Sequence, residues 1–228
     1  MNIEAFTGRA RAYAKARPGY PDEAVEYIYQ LAPTDAVFAD IGAGTGKFTE
    51  LLARYGNKVF AVEPNTDMRE QLAIALAQFP NATIVDGSAE ATKLPDNSVD
   101  VIACAQALNR FDLHTFRVEC QRIGKSNPTV VCLFNYNHKY EVQCCSSNYK
   151  QSTGDFFKNP TVREFPNPVF FTRDSWLLYF TSMSIFPLAA DAEYGARIAE
   201  ISAIFDRDSV DGVLRLDFIT KVYSERMA

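Results

Sequence analysis

The segment Asp40-Ile41-Gly42-Ala43-Gly44-Thr45-Gly46 constrains this chain more than any other. Its three alternating glycines join an apolar run, Ala36 to Ile41, to a helix-forming run from Lys47 to Tyr55 that stops at Gly56. A buried strand, a turn and a helix in that order form the opening of a βαβ unit. Glycines there let the backbone turn sharply and approach a ligand without Cβ clashes. The helix start behind them carries unpaired N–H groups. Spacing then narrows the ligand. The dinucleotide fingerprint G-x-G-x-x-G needs its third glycine at position 47, which is Lys here, and no G-K-[ST] follows four spacers as in a P-loop.

The same alternation continues to about residue 135. Asp22 and Glu23 open a helix whose apolar face is Val25, Ile28, Tyr29 and Leu31. Further strands are expected at Lys58 to Glu63, Ala82 to Val85, Val99 to Ala103 and Val130 to Phe134. Helices are expected from Thr66 to Phe79, ended by Pro80, and from about Leu113 to Arg122. Beyond Asn135 the pattern loosens. Tyr136 to Pro168 shows no clear periodicity, Val169-Phe170-Phe171 suits a strand, and Arg173 to Phe180 a helix. Glu193 to Phe205 reads as a helix, and Val213 to Val222 as a strand near a sheet edge.

Two strand ends carry chemistry. Glu63 closes the second strand, 21 residues after Gly42, where a carboxylate can accept both hydroxyl protons of an adenosine ribose. An ordinary solvated acid is the other reading of that position. Asp86-Gly87-Ser88-Ala89-Glu90 follows the third strand and can present a backbone N–H and a side-chain acceptor to an adenine edge, or be a plain loop.

Composition excludes several classes. With 228 residues and a net charge of −5, the chain is an acidic globular protein. Phosphate-tracking partners are disfavoured, so no nucleic acid is expected. The one basic cluster, Arg9, Arg11, Lys15 and Arg17, suits a solvated helix face. No apolar run approaches the roughly 20 residues of a membrane span, and the start lacks a signal-peptide pattern. A cytoplasmic protein is expected. The five cysteines include no CxxC; Cys104 and Cys132 lie in apolar runs and Cys144-Cys145 are adjacent, so buried or bystander roles are expected and no metal.

Phe38 to Gly46, Val62-Glu63-Pro64-Asn65-Thr66-Asp67-Met68, Gly87 to Glu90, Leu94 to Asp100 and Ala105 to Asp112 together resemble the class I S-adenosylmethionine-dependent methyltransferases. The subgroup they resemble is type 11, which includes trans-aconitate-methyltransferase-like proteins. Tyr13 with Arg17-Pro18-Gly19-Tyr20-Pro21 is similar to that family's N-terminal segment, which folds over the cofactor. Ser182-Met183-Ser184 and Phe218 to Tyr223 look like its late helix and final strand. The resemblance implies a Rossmann-like, doubly wound α/β fold with a mostly parallel seven-stranded sheet and a C-terminal cap insertion. It implies one domain over 1–228: lid and helix in 1–35, cofactor core in 36–135, cap in 136–190, and the final helix and strand in 191–228.

It also implies roles. S-adenosylmethionine would lie with its methionine part against Gly42 and Gly44, its ribose on Glu63, and its adenine near Pro64, Ala89 and Glu90. Gln106 would sit near the sulfonium, while Tyr13 and Arg17 close the pocket, Arg17 pairing with the methionine carboxylate. The partner is a small-molecule methyl acceptor, with the oligomeric state open. Where many relatives carry His-Trp, this chain has Asn109-Arg110, which removes a histidine base; Arg110 either attracts a carboxylate substrate or is a surface residue. Ser126-Asn127-Pro128 replaces the usual Pro-Gly-Gly. Methyl transfer is an in-line displacement needing alignment and exclusion of water. If a base is needed, Asp112, His114, His138, Tyr13, Tyr20 and Tyr136 have suitable chemistry, and none is assigned. Two alternatives stand beside this: a degenerate homologue acting through cofactor binding or protein interaction, and a nicotinamide-dependent oxidoreductase.

Overall fold

The computed structural model describes residues 8–137, 139, 146–183 and 186–227. Seven strands form one sheet in the order β3-β2-β1-β4-β5-β7-β6. The strands are β1 (Phe38–Ile41), β2 (Val59–Val62), β3 (Ala82–Val85), β4 (Val99–Ala105), β5 (Gly124–Tyr136), β6 (Thr161–Phe171) and β7 (Leu214–Arg226). The first five pair in parallel. Strand β7 inserts antiparallel between β5 and β6.

Parallel strands are covered on both faces and so read as near-continuous apolar runs. Strand β1 is buried throughout, and β4 sends Ile102 and Cys104 into one core while Val101 and Ala103 enter the other. The covering helices include α2 (Asp22–Gln30), α3 (Lys47–Ala53), α4 (Thr66–Leu76) and α5 (Leu113–Ile123). Short side-chain caps set two of their starts: Asn65 accepts from the Met68 N–H at 3.0 Å and Asp112 from the Thr115 N–H at 2.8 Å. Cys104 and Cys132 are register partners on β4 and β5 and fully buried. Cys144 and Cys145 lie outside the described residues.

The later part of the chain adds α6 (Ser146–Phe156), α7 (Arg173–Thr181) and α8 (Tyr194–Asp208). A separate aromatic core binds α7 and α8 to β6 and β7, centred on the fully buried Trp176, whose indole N–H donates to the Ile201 carbonyl at 2.7 Å. Residues 161–171, expected inside a cap, are therefore the edge strand of the sheet itself. Among the described residues no helix is long and apolar enough to cross a membrane.

The strand order fixes where a ligand can sit. The chain runs outward from β1 to β2 and β3, then returns to the other side of β1 with β4 and β5. A crevice opens at the carboxyl ends of β1 and β4, where the order reverses.

Candidate functional site

The glycine loop leaves β1 into that crevice, and its three glycines serve separate ends. All have positive φ: Gly42 +72°, Gly44 +56° and Gly46 +90°. A Cβ on Gly42 would lie 2.9 Å from the Ala107 Cβ and 3.2 Å from the Phe111 ring. On Gly46, the N-cap of α3, it would lie 2.8 Å from Leu72 of α4, so this glycine serves helix packing. On Gly44 it would meet nothing closer than the Gly42 carbonyl at 4.0 Å. Gly44 faces open space on the cavity side.

Glu63 locks the loop to the end of β2. Its carboxylate accepts from the Gly44 N–H and from the Asn65 N–H, each at 2.9 Å, and the residue is only 7% exposed. Burial raises its pKa, while these two bonds and the Arg69 and Arg110 charges oppose the shift. Arg69 in turn holds the carbonyls of Glu63 and Pro64 at 3.0 and 2.6 Å. A carboxylate offers about four acceptor positions, and the described residues fill two.

Two adjoining cavities flank the loop. The smaller, about 70 Å³, is lined by Glu63, Pro64, Asn65, Met68, Ala89 and Phe111 together with Gly42, Gly44, Tyr13 and Gln106. The larger, about 360 Å³, shares Tyr13, Gly42, Gly44, Gln106 and Arg110 and adds Asp40, Thr45, Asn109, Arg17, Tyr20, Tyr149 and Tyr179. Glu90 lines neither; its carboxylate accepts from the Asp112 N–H at 3.0 Å. The other eight expected cofactor residues converge on the two cavities.

The wall of the larger cavity holds unused acceptors. Asp40 is 1% exposed; one carboxylate oxygen accepts from the Thr49 hydroxyl at 2.6 Å and the other is buried without a hydrogen-bond partner among the described residues. Burial pushes its pKa up to about 7. The side-chain carbonyls of Gln106 and Asn109 are also buried and unpartnered among those residues. Gln106 has φ +58°, unusual for a non-glycine, and its N–H donates to the Leu133 carbonyl at 2.9 Å. Strain of that kind gathers where a side chain must be aimed.

The first helix, α1 (Ala10–Ala16), and the segment after it cover these cavities. The Arg17 guanidinium lies 4.9 Å from the Tyr13 ring centre and 5.3 Å from that of Tyr179. The basic cluster is thus split: Arg9 donates to the carbonyls of Met183 and Phe186 and Arg17 faces the cavity, while Arg11 and Lys15 are exposed.

Of the candidate bases, Tyr13 and Tyr20 line the larger cavity. Asp112 caps α5, a bond that lowers its pKa, and neither it, His114 nor Tyr136 lines either cavity. His138 lies outside the described residues. Among the described residues no three His, Cys, Asp or Glu side chains are grouped to hold a metal. Sequence reasoning passed over Asp40, although an acid inside the apolar run Phe38 to Ile41 is a costly choice that signals a purpose. It also missed Tyr149, Tyr179 and Phe218, which reach the cavity from distant parts of the chain and leave no local mark.

The crevice at the switch point, the glycine loop after β1 and the acid after β2 make this a class I methyltransferase fold. Residues 39–132 match the model of the methyltransferase domain family, so the chain carries that domain. An uncharacterized methyltransferase of Mycobacterium tuberculosis is 39% identical over 107 residues, 47% of this chain and 42% of the relative. A methyltransferase of Dictyostelium discoideum, so named provisionally, is 30% identical over 161 residues, 68% of this chain and 60% of its own. The chain spans about half the length of these relatives. A solved structure from Anaeromyxobacter dehalogenans, provisionally described as a type II methyltransferase, superposes with a TM-score of 0.68 at 22% identity, covering 92% of this chain and 97% of the other. An S-adenosylmethionine-dependent methyltransferase from Aquifex aeolicus superposes with a TM-score of 0.54 at 17% identity, covering 68% and 89%.

Proposed function

We propose that this protein binds S-adenosylmethionine across the two cavities and transfers its methyl group to a small-molecule acceptor, as a member of the type 11 subgroup. In this reading residues 36–135 hold the cofactor and the N-terminal segment closes over it. The observation that carries the reading is the set of unused acceptors around the glycine loop. Buried acceptors left unpaired cost free energy unless a donor fills them. The cofactor offers ribose hydroxyls and an ammonium, which are such donors.

Glu63 would take the ribose hydroxyl protons with the lone pairs that Gly44 and Asn65 leave free. Asp40 would take the ammonium, and Arg17 the carboxylate opposite it. Pro64, Ala89 and Met68 give the smaller cavity an apolar wall suited to a flat base. Gln106 would turn its side-chain carbonyl toward positive charge. The bound cofactor supplies a methyl group on an already activated sulfur. The chain's own work is then alignment and exclusion of water, for which Tyr13, Arg17 and Tyr20 form a cover. Asn109 stands in the larger cavity where a histidine base would be. The reading accordingly favours acceptors whose nucleophile needs no early loss of a proton. Incubation with S-adenosylmethionine and a panel of small amines, thiols, phenols and carboxylic acids should release S-adenosylhomocysteine with at least one class. No release with any of them, from a protein that binds the cofactor, would leave a binding protein without this activity.

Asp40 gives a pH signature. Its folded pKa of about 7 lies above the ordinary value of 3.8. The neutral form is therefore favoured by folding, a contribution complete below about pH 4 and lost as pH rises to 7. In the ligand-free protein Asp40→Asn should gain about 4 kcal/mol on the wild type between pH 4 and pH 7, on top of a pH-independent cost for desolvating the amide. The same variant should bind S-adenosylhomocysteine more weakly. Urea melts from pH 4 to 8 check this, and parallel curves for the two proteins would contradict it.

A further inference from the structure

The carbonyl of Gly19 accepts two side-chain amides at once. Asn135 of β5 and Asn167 of β6 each donate an Nδ2–H to it at 3.0 Å. The two asparagines are joined through Thr220 of β7, which is fully buried. Its hydroxyl donates to the Asn135 Oδ1 at 2.6 Å and accepts from the Asn167 Nδ2 at 3.2 Å, and Asn167 also reaches the Asn135 Oδ1 at 3.3 Å. Register explains the convergence. Asn135 lies directly opposite Thr220, and Asn167 opposite Phe218, two residues along β7, so all three project from one face of the sheet. Two strands thus aim an amide each at one backbone oxygen of the N-terminal segment, and the strand between them ties the two amides together.

That oxygen sits in the cover of the cavity. Arg17, Pro18 and Tyr20, the residues around Gly19, all line the larger cavity, as does Asn135. Gly19 has ordinary φ and open space around its Cβ position, so only its carbonyl is engaged. We propose that Asn135, Asn167 and Thr220 form a latch that holds the segment Arg17 to Tyr20 against the sheet and thereby sets how long a bound cofactor is retained. They are positioning residues. Asn167 and Thr220 line neither of these two cavities. The inference rests on the proposed function only for the identity of the ligand. The lid must lift for the ligand to leave, and lifting breaks both bonds to Gly19.

The test compares Asn167→Ala and Thr220→Val with wild type, and with Gly19→Ala as a control that keeps the carbonyl. Two readouts are used on the full chain. One is the rate of trypsin cleavage after the exposed Arg11 and Lys15 in the ligand-free protein, which reports local opening. The other is the dissociation rate of S-adenosylhomocysteine. Asn167→Ala should raise both by about tenfold, the worth of one or two net hydrogen bonds. Thr220→Val should act in the same direction, and Gly19→Ala should leave both unchanged. Either latch variant cut and released at the wild-type rate would overturn the proposal, as would Gly19→Ala behaving like Asn167→Ala. A wild type that does not bind S-adenosylhomocysteine would defeat the functional reading instead, while the cleavage rates would still decide the latch.

Discussion

Replacing Glu63 by alanine removes the thermal stabilisation that S-adenosylhomocysteine gives the wild-type protein. The carboxylate is 7% exposed and already holds two backbone N–H groups. Two ribose hydroxyls would complete its bonding. Hydrogen bonds to a charged group contribute about 1.5–3 kcal/mol each, so the pair is worth at least about 100-fold in affinity. At a ligand concentration near 100 times the wild-type Kd, stabilisation should fall from about 2.7 to about 0.4 kcal/mol. Alanine also leaves the Gly44 and Asn65 N–H groups without this acceptor, which loosens the loop. Glu63→Gln is the conservative comparison. It keeps the shape but brings an NH2 against one of those N–H donors, so it too should lose most of the shift. Thermal melts with and without ligand are the check, and a full shift in either variant would contradict the assignment.

The second large effect divides the loop's glycines. Gly42→Ala should lower stability by about 3 kcal/mol, combining the left-handed backbone cost with a clash. The new Cβ would lie 2.9 Å from Ala107, on a helix-like turn held between β4 and α5. Gly44→Ala has only the backbone cost of about 1–2 kcal/mol, since nothing within 4 Å blocks its Cβ beyond the Gly42 carbonyl. Its methyl would instead stand where both cavities meet. Gly44→Ala should therefore be the more stable variant and yet lose cofactor binding by at least about 100-fold. Urea denaturation and ligand titration measure the two quantities separately. Near-normal binding by a folded Gly44→Ala would show that the ligand does not approach that backbone.

These expectations depend on a part of the fold that the sequence makes plain. Strand β1, the glycine turn, α3 and the acid after β2 are contiguous, and each local preference agrees with the tertiary role. Elsewhere tertiary context decides. Strand β5 was expected over Val130 to Phe134 but runs from Gly124 to Tyr136, because the polar stretch with Asn127 at φ +57° is a bulge, where the register with β4 shifts. Strand β6 has no readable period: it is an edge strand, largely exposed, with Pro166 and Pro168 inside it. Helix α6 is equally hidden, its sequence from Ser146 to Phe156 being mostly polar. The site divides along the same line. Residues at the ends of β1, β2 and β4 were legible because strand ends in such a sheet face the crevice. Glu90, expected beside Ala89, lines neither cavity, and its carboxylate accepts from the Asp112 N–H at the start of α5. The far wall and the Gly19 latch come from strands more than 100 residues apart in sequence from the lid, and only the folded sheet brings them together.

Calorimetric titration of the wild-type chain with S-adenosylhomocysteine, beside an identical titration with NAD, decides whether the two cavities form one adenosyl site. One saturable site for S-adenosylhomocysteine is expected, with proton release on binding near pH 6 as Asp40 ionises, and no heat from NAD. Absence of S-adenosylhomocysteine binding, or equal binding of NAD, would contradict that assignment.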